Sequence, residues 1–137
     1  MSFKKGRSFL KRLPTDGDLL EEITSFVKEK EIENGIIKAI GAVSEAKIGY
    51  YNQEEGIYEY TKFNQHLEIV SLIGNISLLD GKPMVHAHIA LADEEGKTFG
   101  GHLAEGTKIF ATELYIEELK GDKKIRKNDP KTGLTLW

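Results

Sequence analysis

Apolar positions change their period along this chain, and the changes mark its elements. Leu19, Leu20, Ile23 and Val27 recur at helical spacing with Phe26 beside the stripe, which predicts an amphipathic helix. Asp16 or Asp18 is placed to cap it, Glu21 and Glu22 suit its first turn, and Asn34-Gly35 supplies a left-handed stop. Before it, residues 7–13 read as a strand entering the turn Pro14-Thr15-Asp16-Gly17. From Ile36 onward the period is that of β structure. The nearly continuous apolar run from Gly35 to Val43 predicts a strand covered on both faces, and Lys47–Tyr51 a second strand. Glu54-Glu55-Gly56 turns the chain into Ile57–Tyr60. His66–Leu78 is a long strand in which Gly74 predicts a bulge or bend. Asp80-Gly81-Lys82 is a hairpin signal leading into residues 83–92, expected to pair antiparallel with 67–78. Turns at 93–97 and 104–107 bracket residues 98–103, and 108–117 is a final strand. Residues 121–137 are polar until Leu134, Leu136 and Trp137, so this tail is expected to dock back. The sum is an α+β fold: one main helix and about seven strands in a mainly antiparallel, curved sheet.

Composition narrows the function classes. The 137 residues predict one domain, 1–137, and 39% hydrophobic with 30% charged residues is a soluble composition. The net charge of −3 supplies no global field for nucleic acid or anionic lipid. The absence of cysteine excludes disulfides and thiolate metal sites and fits a cytoplasmic location. No long apolar run follows the basic N-terminus, and none approaches the ~20 residues that span a bilayer, so no signal peptide and no membrane partner are expected. Basic residues gather at the two ends: Lys4, Lys5, Arg7, Lys11 and Arg12, then Lys120, Lys123, Lys124, Arg126, Lys127 and Lys131. Together they read either as a phosphate-binding patch or as solvated surface.

The specific chemistry is in the histidines. His86 and His88 form His-x-His on a predicted strand, so both imidazoles point to one face with Met84 and Ala90. Val85, Ala87, Ile89 and Leu91 form the apolar face, expected to pack on the helix side. His102 follows Gly100-Gly101, whose freedom to turn and to allow close backbone approach is expected to aim it at the pair. Three neutral imidazoles make a zinc-type donor set with an open fourth position. The other reading is a hydrogen-bonded imidazole cluster without metal. Glu68, on the strand expected to pair with the histidine strand, is the candidate carboxylate: a ligand, an acceptor for an imidazole N–H, or a general base. Glu113 is a weaker candidate, and His66 reads as a surface histidine. Tyr50, Tyr51, Tyr58 and Tyr60 read as base-stacking or half-buried strand aromatics. No phosphate-loop, dinucleotide or serine-nucleophile motif is present.

These residues carry a resemblance. The runs Glu68–Ile76, Val85–Leu91, Gly100–Gly106 and Ala111–Leu114 resemble the plants-and-prokaryotes conserved (PPC) domain family. Ile40–Val43, Arg12, and the tail around Arg126, Asp129 and Thr132-Gly133-Leu134 fit it as well. The resemblance implies a homotrimer in which His86, His88 and His102 coordinate a metal, zinc first, near a subunit interface. In plants the domain follows an AT-hook that binds the minor groove of A·T-rich DNA, and the domain itself mediates oligomerisation and protein contacts. This chain has no Arg-Gly-Arg-Pro; Lys5-Gly6-Arg7 is a distant echo. The fold it implies is also similar to that of acetolactate decarboxylase, which holds zinc through a similar His-x-His…His arrangement.

Two functions follow. The first is a trimeric regulatory or binding protein with a three-histidine zinc site and a DNA or protein partner. The alternative is a metal-dependent enzyme or small-molecule sensor acting on a small oxo- or hydroxy-acid, with Glu68 transferring a proton and Arg12 or Arg126 holding a carboxylate.

Overall fold

In the computed structural model, which describes residues 2–137, strand β1 (Lys4–Leu13) leads into helix α1 (Leu19–Glu29). There follow β2 (Gly35–Asn52), β3 (Ile57–Phe63), β4 (Leu67–Leu79), β5 (Lys82–Ala92), β6 (Thr98–Leu103) and β7 (Lys108–Lys120). Two short strands, β8 (Lys127–Asn128) and β9 (Thr135–Leu136), end the chain. The fold is α+β, with a seven-stranded sheet in which every ladder is antiparallel.

Helix α1 forms where the apolar stripe predicts it. The Asp18 carboxylate accepts from the Glu21 backbone N–H at 3.1 Å, satisfying one of the free donors of the first turn. Leu19, Ile23, Phe26 and Val27 are buried. The helix stops earlier than Asn34-Gly35: Glu31 takes the left-handed conformation at φ 52°. Asn34 serves the tail instead, its buried side chain accepting from the Lys124 backbone N–H at 3.0 Å.

The two strands expected at 35–43 and 47–51 are one 18-residue strand. Register shifts near Gly41, Val43 and Glu45 bend β2 rather than break it. Gly41 permits this at φ 146°, where a Cβ would lie 2.1 Å from the Ala111 carbonyl oxygen. Before the bend β2 pairs with β4 and β7; beyond it, with β3 and β6. The ladder order is β1-β7-β2-β4-β5-β6, and the β6–β2 pairing closes the last four strands on themselves.

One face of this sheet meets α1. Val85, Ala87, Ile89 and Leu91 of β5 are buried there, as alternation predicts. The other face is not covered as the apolar run of β2 implies: Ile40 is 57% exposed and Lys38 is exposed beside it. The bulge expected at Gly74 lies instead between Ile69 and Ser71. Asp80 and Gly81, both with positive φ, make the predicted hairpin turn between β4 and β5. The tail docks: Leu78 donates to the Lys124 carbonyl and accepts from the Arg126 N–H, each at 2.8 Å. The two basic clusters become neighbours because β1 and β7 run antiparallel, with Lys4 opposite Lys120.

Candidate metal centre

His86 and His88 project from the face of β5 that turns away from α1. His102 reaches them through the ladder rather than through a turn. It lies directly opposite His88 in the β5–β6 pairing. Gly100 and Gly101 are ordinary strand residues of β6, not a bend. Their role is close approach: a Cβ at Gly100 would stand 2.2 Å from the Ile89 carbonyl oxygen, and one at Gly101 2.6 Å from that of Gly49. Two adjacent residues without side chains let β6 sit between β5 and β2, which sets His102 in place.

The three imidazoles offer ligand nitrogens that all lie within 4.8 Å of one another. Ring centroids are 5.2 Å apart for His86–His88, 5.1 Å for His86–His102 and 5.8 Å for His88–His102. Burial, followed by the neighbouring His102, Arg126 and His88, lowers the His86 pKa to about 4. Burial, with His88 second, also lowers that of His102. His86 is therefore neutral at pH 7, the form that ligates a metal. His102 Nδ1 is buried with no hydrogen-bond partner among the described residues. An unmet buried nitrogen costs about 1–3 kcal/mol, and a cation supplies the missing partner. The donor set fits a zinc-type ion, which takes nitrogen ligands at about 2.0–2.1 Å.

The other candidates lie elsewhere. Glu68 is exposed and pairs with Ala92. That is four residues beyond His88, or roughly 13 Å along the strand at about 3.3 Å per residue. The expected Glu68 role beside the imidazoles therefore fails on register. The Ile69–Ser71 bulge keeps it on their face but cannot shorten the distance. Glu113 and Arg12 are exposed and pair with each other on the far strands β7 and β1. His66 is exposed beside Glu68 in a separate recess.

Arg126 does reach the centre. A cavity of about 260 Å³ opens beside the trio, lined by Tyr51, Tyr58, Met84, His86, His102, Arg126 and tail residues Gly133–Leu136. Arg126 is 4% exposed. Its Nε donates to Ser77 Oγ at 2.6 Å, Nη1 to the Thr135 carbonyl at 2.9 Å and Nη2 to Asn75 Oδ1 at 2.9 Å. Asn75 and Ser77 stand opposite His86 and Met84 across the β4–β5 ladder, so the histidine strand and the arginine share one scaffold. The tail is held over the cavity by Tyr51, whose hydroxyl donates to the Thr132 carbonyl at 2.6 Å. The Tyr58 ring packs tilted against His102, with centroids 4.9 Å apart. No sequence period signals that residues 126–136 roof the histidines, because that contact is made by irregular chain.

Fold and cluster together define a class: a closed antiparallel sheet carrying a three-imidazole, metal-competent site under a C-terminal flap. The chain belongs to the Plants and Prokaryotes Conserved (PCC, also written PPC) domain family, whose model matches residues 1–120. A PPC protein from Pyrococcus horikoshii is 46% identical, with a TM-score of 0.94 over 99% of this chain and 94% of its own. A metal-containing protein from Archaeoglobus fulgidus is 43% identical, with a TM-score of 0.94 over 99% and 96%. A candidate DNA-binding protein from Bacteroides thetaiotaomicron is 26% identical, TM-score 0.88, over 98% and 94%. Acetolactate decarboxylase from Bacillus subtilis, at 13% identity and a TM-score of 0.58 over 90% and 56%, shares the fold. A bifunctional protein GlmU from Synechococcus sp. is 34% identical over 89% of this chain. This chain spans about a fifth of that relative's length, 19%.

Proposed function

We propose that residues 1–137 form one domain that assembles as a homotrimer, holds zinc at His86, His88 and His102, and binds a small molecule beside it. The observation that carries this reading is the convergence of three imidazoles within 4.8 Å of one another next to an open cavity. When bound, zinc supplies a Lewis-acidic position for an oxygen of that ligand. The metal-containing Archaeoglobus relative supports the metal part. Binding is favoured over catalysis because Glu68 is displaced and no carboxylate lines the cavity among the described residues. The trimer is supported by the uncovered apolar face around Ile40 and Ile73. Among the described residues no helix is long and apolar enough to cross a membrane, and the cysteine-free chain fits the cytoplasm.

The deciding experiment is elemental analysis of protein purified without metal and then reconstituted with zinc. Stoichiometric zinc that survives dialysis near neutral pH, and is lost in His86→Ala/His88→Ala, is expected. Wild-type protein that retains no zinc would remove the metal from this function.

A DNA partner is the second reading, favoured by the candidate DNA-binding Bacteroides relative. Much of the basic surface is already neutralised. Lys5 pairs with Glu117 at 3.0 Å, Arg7 and Lys120 with Glu118 at 2.8 Å, and Lys123 with Glu33 at 2.9 Å. Arg126 is buried. A gel shift at ~0.15 M salt tests it, since binding carried by phosphate contacts weakens steeply as salt rises and must persist there to matter. No shift in that assay removes DNA as the partner.

A further inference from the structure

Arg126 is a cation with no counter-charge among the described residues. All three of its hydrogen-bond partners are neutral: a serine hydroxyl, a backbone carbonyl and an asparagine amide oxygen. A guanidinium has five N–H donors, and the other two have no partner among the described residues. Burial lowers its pKa, and no carboxylate among the described residues forms an ion pair with it. A buried charge is costly unless paired, so an arginine kept here at 4% exposure has a reason beyond tethering the tail. Neutral side chains could tether the tail at less cost.

The cavity says what the counter-charge is. Arg126 is the one lysine or arginine among its lining residues. A guanidinium lining the cavity calls for an anion as its partner. Guanidinium donors lie in a plane and suit the planar carboxylate. The volume of about 260 Å³ lies below the ~300–1,000 Å³ of drug-sized ligand sites. Met84, Leu134 and Leu136 add apolar wall, and His86 and His102 line the same cavity. We infer that Arg126 binds the carboxylate of a small aliphatic acid, whose neighbouring oxygen faces His86 and His102. This deepens the small-molecule reading by naming the ligand class, yet the arginine part stands without metal.

Lactate and its neutral isostere lactamide are suitable probes, titrated calorimetrically into both metal-free and zinc-loaded protein. The chain's single tryptophan gives a second signal, because the Trp137 ring stands 4.6 Å from the Arg126 guanidinium carbon. Lactate is expected to bind at least about tenfold more tightly than lactamide, as loss of a charge-assisted pair predicts. Arg126→Gln should abolish that preference. Because Arg126 also holds the tail, Met84→Phe is the second variant: it fills the cavity without touching the arginine's bonds and should block lactate with the fold intact. Equal binding of the two probes, an unchanged preference in Arg126→Gln, or tighter binding of inorganic phosphate than of lactate would overturn the inference. The two readings fail separately. Zinc retention without a lactate preference sinks the carboxylate site alone. A lactate preference in protein that holds no zinc sinks the metal alone.

Discussion

Glu118 shows how a single carboxylate can hold a terminal strand. It is 3% exposed, and its two oxygens accept from Arg7 Nε at 2.8 Å, Arg7 Nη2 at 2.9 Å and Lys120 Nζ at 2.8 Å. These bonds, the Arg7 side chain first, lower its pKa to about 2. The unfolded chain binds the proton more readily, near the usual glutamate value of about 4.3. The stabilisation is therefore full above about pH 4.3 and drains away as pH falls through about 2. Glu118→Gln is expected to cost about 1–3 kcal/mol at pH 7. That gap to wild type should shrink between about pH 4.3 and 2 in urea denaturation. A gap independent of pH would mean the pair contributes nothing as an ion pair. His86 has the same proton sense and the same direction in pH, although its protonated form is the charged one. Its folded pKa of about 4 lies below the unfolded 6.5. Metal-free protein should lose stability as pH drops from 6.5 toward 4, and His86→Gln should flatten that slope. Melting curves of metal-free wild type with no slope across that window would contradict burial of a neutral His86.

At the scale of elements, glycines decide where strands approach. Gly100→Ala puts a Cβ 2.2 Å from the Ile89 carbonyl oxygen, so β6 must move off β5 and carry His102 with it. A loss of about 1–3 kcal/mol is expected, together with weaker zinc retention. Gly81→Ala is the contrast: it meets no atom within 4 Å, and only its φ of 74° is strained. It should cost about 1 kcal/mol and leave zinc retention alone. Melting temperature and zinc content, measured on both, separate placement of His102 from general destabilisation; equal zinc loss would refute the placement. The same residues show what sequence can reveal. Period two placed His86 and His88 on one face, and the Asp80-Gly81 hairpin set their partner strand, because both are local. Gly-Gly was legible as a place of close backbone approach, but not as straight strand rather than a turn, since that depends on where β5 and β2 lie. Glu68 was misplaced for a related reason. Sharing a ladder does not fix position along it, and the register was set by the turn and the Ile69–Ser71 bulge. Arg126 was legible only through family resemblance, because irregular chain carries it to the cavity.

The whole molecule leaves one matter unbalanced. Reading across the sheet, Leu10 pairs with Tyr115, Tyr115 with Lys38, Lys38 with Ile73, Ile73 with His88 and His88 with His102. This row runs from an edge strand to the candidate metal centre on the face without a helix. Leu10 is 82% exposed, Ile73 59%, and Ile40 lies one strand away. The apolar run in β2 is the pattern of a strand buried on both faces, yet one copy of the chain covers only one. In the proposed trimer, other copies would present a second surface of this kind and complete the burial. Because Ile73 is the cross-strand neighbour of His88, that interface would run up to the imidazoles. Sedimentation equilibrium should therefore give the mass of a trimer. Ile73→Lys places a charge where desolvation is costly and should yield monomers whose circular dichroism matches wild type. Wild-type protein sedimenting as a monomer at micromolar concentration would refute the trimer. A trimer unaffected by Ile73→Lys would move the interface off this row and away from His88.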